Sequence, residues 1–171
     1  MVCWLLYSNY QSTMQERMDA TRQHVEIAHG ILVSAQAQES AGQLTRQQAQ
    51  QLALQLIEKL RYDKNEYFWI NDMHPRMVMH AVRPQLDGQD VTSNRDPSGR
   101  QLFVDFVNIV KKDGAGFHRY LWPKPGSDEP VEKVSYVMGF EPWGWVIGSG
   151  VYIDTVHAAF ASRLKWVLGG T

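Results

Sequence analysis

The chain of 171 residues contains one cysteine, Cys3. It therefore forms no internal disulfide and builds no cysteine metal cluster, which leaves the redox compartment undetermined and the periplasm permitted. No apolar run reaches the roughly 18 residues that cross a bilayer, and no block of like charge, internal repeat or low-complexity stretch is present. Seventeen Lys and Arg are offset by 18 Asp and Glu, for a formal net charge of -1. Phosphate backbones are held by clustered cations, so no nucleic-acid partner is expected.

Catalytic constellations are missing as well. Ser149 lies between Gly148 and Gly150 in a strand pattern, without the strand-to-helix elbow of a serine hydrolase. His24 and His29 are five residues apart and diverge on a helix, whereas a shared metal needs an i, i+4 pair. His74 precedes Pro75 in a turn, and His157 sits in the last helical segment without an evident partner. The expectation is a protein that is not an enzyme, with no catalytic residue, no cofactor and no metal.

What is present is ordinary globular composition, 44% hydrophobic and 20% charged, in a chain long enough to bury a core as one domain. Both ends are apolar and carry tryptophan: Val2-Cys3-Trp4-Leu5-Leu6-Tyr7 at the start, and Leu164-Lys165-Trp166-Val167-Leu168-Gly169-Gly170-Thr171 at the finish. Two readings stand: frayed core segments, or ends lying at a membrane interface. In the second, the chain is the extracytoplasmic piece between two transmembrane helices. The opening is too short for a signal peptide and lacks its basic start.

From about Tyr7 to Ala37 there is no proline, and Met14, Met18, Thr21, Val25, Ala28, Leu32 and Ala35 recur at steps of four and three. This heptad stripe marks a helix of about 45 Å at 1.5 Å per residue. That exceeds what such a domain needs for its own core, so the N-terminal half is expected to pack on a second copy or to lead up from a membrane. After Gly42, Thr45-Arg46-Gln47-Gln48 fits a capping box, opening a helix whose buried face is Ala49, Leu52, Ala53, Leu56, Ile57 and Leu60. Tyr67-Phe68-Trp69-Ile70 and Met77-Val78-Met79-His80-Ala81 form a first hairpin, with His80 on the face of Val78 by strict alternation. The irregular stretch from Val82 to Arg100 is of the length that often carries function. Leu102, Phe103, Phe106, Val107 and Val110 make a short helix stopped at Asp113-Gly114.

Three further strands follow. Phe117 to Trp122 places His118, Tyr120 and Trp122 on one face. Two β-rich runs then flank Phe140-Glu141-Pro142-Trp143-Gly144, giving a hairpin from Val131 to Tyr152 at the middle of a sheet. Asp154 or Thr155 caps a last helix with Val156, Phe160, Leu164 and Val167 inward. Short turns imply an antiparallel sheet with helices outside it, an α+β architecture.

Chemistry concentrates on the strands. His80, Tyr120, Trp122, Lys133 and Tyr136 stand among apolar neighbours, the sparse polar content of a small-ligand pocket. Lysine is depleted in mid-strand and costly to bury without an anion. Two orientations of Lys133 stay open: inward, where a carboxylate ligand supplies the missing charge, or toward solvent. Strict alternation sets Lys133 and Tyr136 on opposite faces, so one pocket holds both only through a bulge, through twist or at its rim.

Several motifs occur in the order found in the single Cache domains of bacterial chemoreceptors (methyl-accepting chemotaxis proteins) and sensor kinases, which this chain resembles. They are Tyr67-Phe68-Trp69-Ile70-Asn71-Asp72, Met77-Val78-Met79-His80, Leu86-Asp87-Gly88, Tyr120-Leu121-Trp122-Pro123-Lys124-Pro125-Gly126, Lys133-Val134-Ser135-Tyr136-Val137, and the run from Glu141 to Tyr152. The resemblance covers roughly Asn65 to Asp154; Ala81 departs from the proline the family usually has there, which bears on the local turn.

The resemblance implies a PAS-like antiparallel sheet of five to six strands behind a long N-terminal helix, and a C-terminal helix leading toward the membrane. It implies one extracytoplasmic ligand-binding domain over 1–171, with a helical part at 1–64, sheet and pocket at 65–153 and the last helix at 154–171. It further implies a periplasmic place in an inner-membrane protein with flanking transmembrane helices, and recognition of small organic acids such as acetate, propionate, pyruvate, lactate or malate. Carried over residue by residue, the ligand-binding set is Tyr67, Trp69, Met79, His80, Tyr120, Trp122, Lys133 and Tyr136. Within it we assign Lys133 as principal cation and His80 and Tyr136 as hydrogen-bond donors. The expected partners are a small carboxylate and a second copy through the first helix. The alternatives are the sensor domain of a histidine kinase, or a constitutive dimerisation module in which the heptad stripe is the active feature and no small ligand binds.

Overall fold

The heptad stripe forms one unbroken helix, α1 (Val2–Ser40), and its register decides what it covers. Met14, Thr21, Val25, Ala28, Leu32 and Ala35 are all buried. The Thr21 hydroxyl donates back to Arg17 O at 2.8 Å, so its polar atom enters the core satisfied. The C-terminal part of the stripe, Val25, Ala28, Leu32 and Ala35, packs with Ala49, Ala53 and Ile57 and with Phe68, Ile70 and Ile147. That part of the stripe thus serves this chain's own core. The computed structural model describes residues 2–169, with side chains from Trp4 to Trp166; Cys3 and Val167 lie outside the described side chains.

The expected capping box is formed at α2 (Arg46–Lys59): Gln48 N donates to Thr45 Oγ1 at 3.2 Å and Thr45 N to Gln48 Oε1 at 2.9 Å. Its inner face is narrower than the periodicity predicts. Ala49, Ala53 and Ile57 are buried, whereas Leu56 is 48% exposed because the two helices meet along alanines, leaving the leucine beside the contact.

Five strands follow: β1 (Phe68–Asp72), β2 (Met77–His80), β3 (Ala115–Pro123), β4 (Pro130–Phe140) and β5 (Trp145–Tyr152). They form one antiparallel sheet in the order β2-β1-β5-β4-β3. β5 is central and buried along its whole length, as the predicted mid-sheet hairpin requires. Its Gly148 and Gly150 are there for space. A Cβ at Gly148 would run into the Trp69 ring, and one at Gly150 into Ser135 on β4.

The sheet separates two layers. α1, α2 and α4 (Asp154–Gly169) cover one face, where Phe68, Ile70, Val134, Ile147 and Val151 point. α3 (Leu102–Asp113) covers the other, against Trp69, Tyr120, Val137 and Val146. Alternation in β2 is broken by one residue: Asn71 stands opposite Met77 and Ile70 opposite Met79, so Val78 is an extra residue on that strand. Val78 and Met79 consequently both turn toward the α1–α2 layer, while His80, opposite Trp69, turns toward α3. His80 therefore does not share a face with Val78, as strict alternation predicts.

The chain's two ends come together. Tyr10 of α1 packs on Phe160 of α4, ring centroids 5.0 Å apart. No described helix is long and apolar enough to cross a membrane.

Candidate ligand-binding site

The side of the sheet under α3 holds a small cavity lined by Tyr67, Trp69, His80, Tyr120, Trp122 and Lys133, with Leu102, Phe103 and Phe106 of α3 as its roof. Its free volume, about 10 Å³, is roughly one water-sized sphere. β1 and the residue before it supply Tyr67 and Trp69 on alternate positions, β2 supplies His80 through the bulge, and β3 and β4 supply the rest.

Lys133 is 1% exposed. Its Nζ donates to the Tyr67 hydroxyl at 3.1 Å and lies 4.3 Å from the Tyr67 ring centroid, 4.9 Å from that of Tyr152 and 5.5 Å from that of Trp69. Three aromatic faces offset part of the cost of dehydrating an ammonium, each by roughly 0.5–2 kcal/mol. Among the described residues no Asp or Glu is ion-paired with it. A buried ammonium with two unused N–H donors and no ion-paired carboxylate among the described residues is a site for an anion.

His80 is set up as a neutral donor. Its Nδ1 accepts from Arg83 N at 3.1 Å and from Val82 N at 3.4 Å, so the neutral ring carries its proton on Nε2. Burial, then the charges of Lys133 and Arg83, press its pKa down to about 3. Its own backbone N–H is held by Asp87 Oδ1 at 2.8 Å, which ties β2 to the loop beyond it. The Tyr67 hydroxyl accepts from Lys133, its other neighbour being the Tyr152 hydroxyl at 3.4 Å. Tyr120 is committed to Ser135 Oγ at 2.8 Å, and the Trp69 indole N–H to Asn71 Oδ1 at 3.1 Å. Free to act on a bound group are thus an ammonium, an imidazole N–H and a phenol, within an aromatic wall.

Beside Trp122, Arg83 links two loops. Its guanidinium donates to Ser127 O at 3.0 Å, lies 3.6 Å from Asp128 and sits 5.8 Å over the Trp122 ring. It joins the loop after β2 to the loop between β3 and β4.

Six of the eight expected residues therefore meet around one cavity, and two do not. Met79 packs with Phe68 and Ile70 beneath the helices, turned there by the bulge. Tyr136 lies three residues from Lys133 in an unbulged strand and faces α1, its ring 4.8 Å from Phe117; it donates nothing to this cavity. Tyr152, outside the expected set, also belongs beside Lys133. Counting outward from the Phe140–Trp145 pair across the turn puts Tyr152 directly opposite Lys133, and that count is available from the sequence. Its hydroxyl donates to Pro123 O at 2.7 Å.

The family model described as Single Cache domain 2 matches residues 13–166. The methyl-accepting chemotaxis protein McpP of Pseudomonas putida is 50% identical over 151 residues, which are 88% of this chain and 28% of McpP, so the chain spans little more than a quarter of that relative. A solved periplasmic sensor domain of a chemotaxis protein superposes with a TM-score of 0.82 at 50% identity, covering 82% of this chain and 98% of that one. A second solved structure, of a Cache chemosensory domain studied for carboxylic acid recognition, gives 0.81 at 49% identity, covering 84% and 98%.

Proposed function

The chain belongs to the single Cache domain family, and on that premise we propose that it is the periplasmic ligand-binding domain of a bacterial chemoreceptor recognising short organic acids of two to four carbons. Flanking transmembrane helices would continue α1 and α4, and a shift of those helices would carry the signal. The observation that carries this reading is Lys133, a buried lysine without a carboxylate partner in a cavity otherwise walled by aromatic rings. Carboxylic acid recognition by a solved domain 49% identical to this one supports it.

The lining narrows the class. One ammonium, the His80 Nε2–H and the Tyr67 hydroxyl suit the two oxygens of one carboxylate, while Phe103, Phe106 and Trp122 suit a short apolar tail. A second carboxylate would face the aromatic roof unpaired, at the cost of a buried charge. Acetate, propionate, pyruvate and lactate are therefore favoured over malate.

Calorimetry against these five acids tests the reading. Monocarboxylate binding is expected, weakened about 10- to 150-fold in Lys133→Met, from the roughly 1.5–3 kcal/mol of a hydrogen bond to a charged group. Binding by none of them, or unchanged affinity in a folded Lys133→Met, would refute it.

A further inference from the structure

A second titratable group, half-buried, lies behind the cavity wall. Glu66, in the loop between α2 and β1, is fixed by a backbone pair with Tyr62: Tyr62 N to Glu66 O at 3.2 Å and Glu66 N to Tyr62 O at 3.0 Å. The next residue, Tyr67, turns into the cavity, so alternation turns Glu66 the other way, toward α1. Its Oε2 is buried and without a hydrogen-bond partner among the described residues. The charges acting on it are Lys133 of β4 most strongly, then Asp63 of its own loop, which opposes the cations, then Lys124 after β3 and Arg17 of α1.

Two of the neighbouring charges at α4 are already occupied: Lys124 holds Asp154 at 2.7 Å and His157 holds Glu132 at 2.9 Å. The phenols of Tyr62, Tyr120 and Tyr152 stay neutral, their ionisation pushed up mainly by burial. Desolvation outweighs the cations and raises the Glu66 carboxyl to about 7. Glu66 thus depends on Lys133 for much of what keeps it ionised, and Lys133 is also the group that meets the ligand.

We propose that a carboxylate docking on Lys133 is accompanied by proton uptake from solvent at Glu66, so that the cavity responds to the acid and to pH together. This rests on the carboxylate reading of the site. The anion cancels the field of Lys133 and adds a negative charge of its own, and both effects favour protonated Glu66. By reciprocity, protonated Glu66 favours the anion. The bound state holds more protons, so affinity falls as pH rises.

The experiment is calorimetry of the domain with propionate from pH 6 to 8, in two buffers of different ionisation enthalpy. If binding raises the Glu66 pKa by one unit, Kd increases about fivefold across that range, with a fraction of a proton taken up near pH 7. Glu66→Gln binds propionate with a flat pH profile and no uptake, while His157→Gln keeps the wild-type profile. Should Glu66→Gln not fold, the wild-type proton count decides alone. Propionate binding that is flat with pH, or a slope that survives in Glu66→Gln, overturns the coupling and leaves the carboxylate reading standing. Binding of no acid at any pH removes that reading, and the coupling with it.

Discussion

At the scale of single residues, two buried titratable groups pull stability in opposite directions. The folded pKa of His80 is held at about 3. The unfolded chain therefore binds a proton that the folded chain refuses, and the contribution of His80 is lost as pH falls from about 6.5 toward 3. Glu66 is raised to about 7. Its folded form binds a proton that the unfolded form has released, so its penalty disappears as pH falls from 7 toward 4.5. Over the shared window the slopes oppose, each at most about 1.4 kcal/mol per pH unit and smaller for the less deeply buried Glu66, which solvent screens. Replacing Glu66 by Gln is expected to unmask the histidine: the variant loses more stability than wild type between pH 7 and pH 5. Urea midpoints at the two pH values measure it, and equal losses in both proteins would count against the assignment.

Among the elements, α1 separates what a sequence conveys from what it withholds. Its periodicity announced a helix and named the inward positions correctly, because a step of 3.6 residues places Val25, Ala28, Leu32 and Ala35 on one side whatever lies opposite. It did not say what lies opposite, and the sheet does. The bulge at Val78 was illegible for a related reason: no glycine or proline marks it, and only pairing with β1 shows that β2 has one residue too many. Met79 was misplaced on that account. Tyr136 faces α1 because β4 runs without the bulge that would bring it round to the side of Lys133, and only the packing of α3 over that side of the sheet fixes Lys133 as buried. If the stripe is internal, Leu32→Ala should cost about 2–5 kcal/mol, while Ile27→Ala, on the exposed side of the same helix, should stay within about 0.5 kcal/mol. Chemical denaturation at two protein concentrations checks both; a concentration-dependent loss for Leu32→Ala would return the stripe to an interface between copies.

Across the whole molecule, the layered α+β plan was legible because short turns between strands leave few topologies open. The two ends meet where Tyr10 packs on Phe160, leaving Trp4 70% and Trp166 84% exposed. In the proposed receptor those rings lie at the membrane interface, and the cavity stands one sheet away from the helices that reach it. The size of that cavity carries a last consequence, and it concerns time. A space of about 10 Å³ holds about one water, so an organic acid enters only as the lining moves, and if the Arg83 link between the two loops beside Trp122 must let go, loop opening and not diffusion sets the pace of capture. In stopped-flow mixing with propionate, the observed rate should rise with concentration and then level off at the opening rate, and Arg83→Ala should lift that plateau. A rate that keeps climbing linearly would mean an open door. With that link, the domain reports an average over the dwell of its own gate, and fluctuations of acid faster than that dwell pass unrecorded.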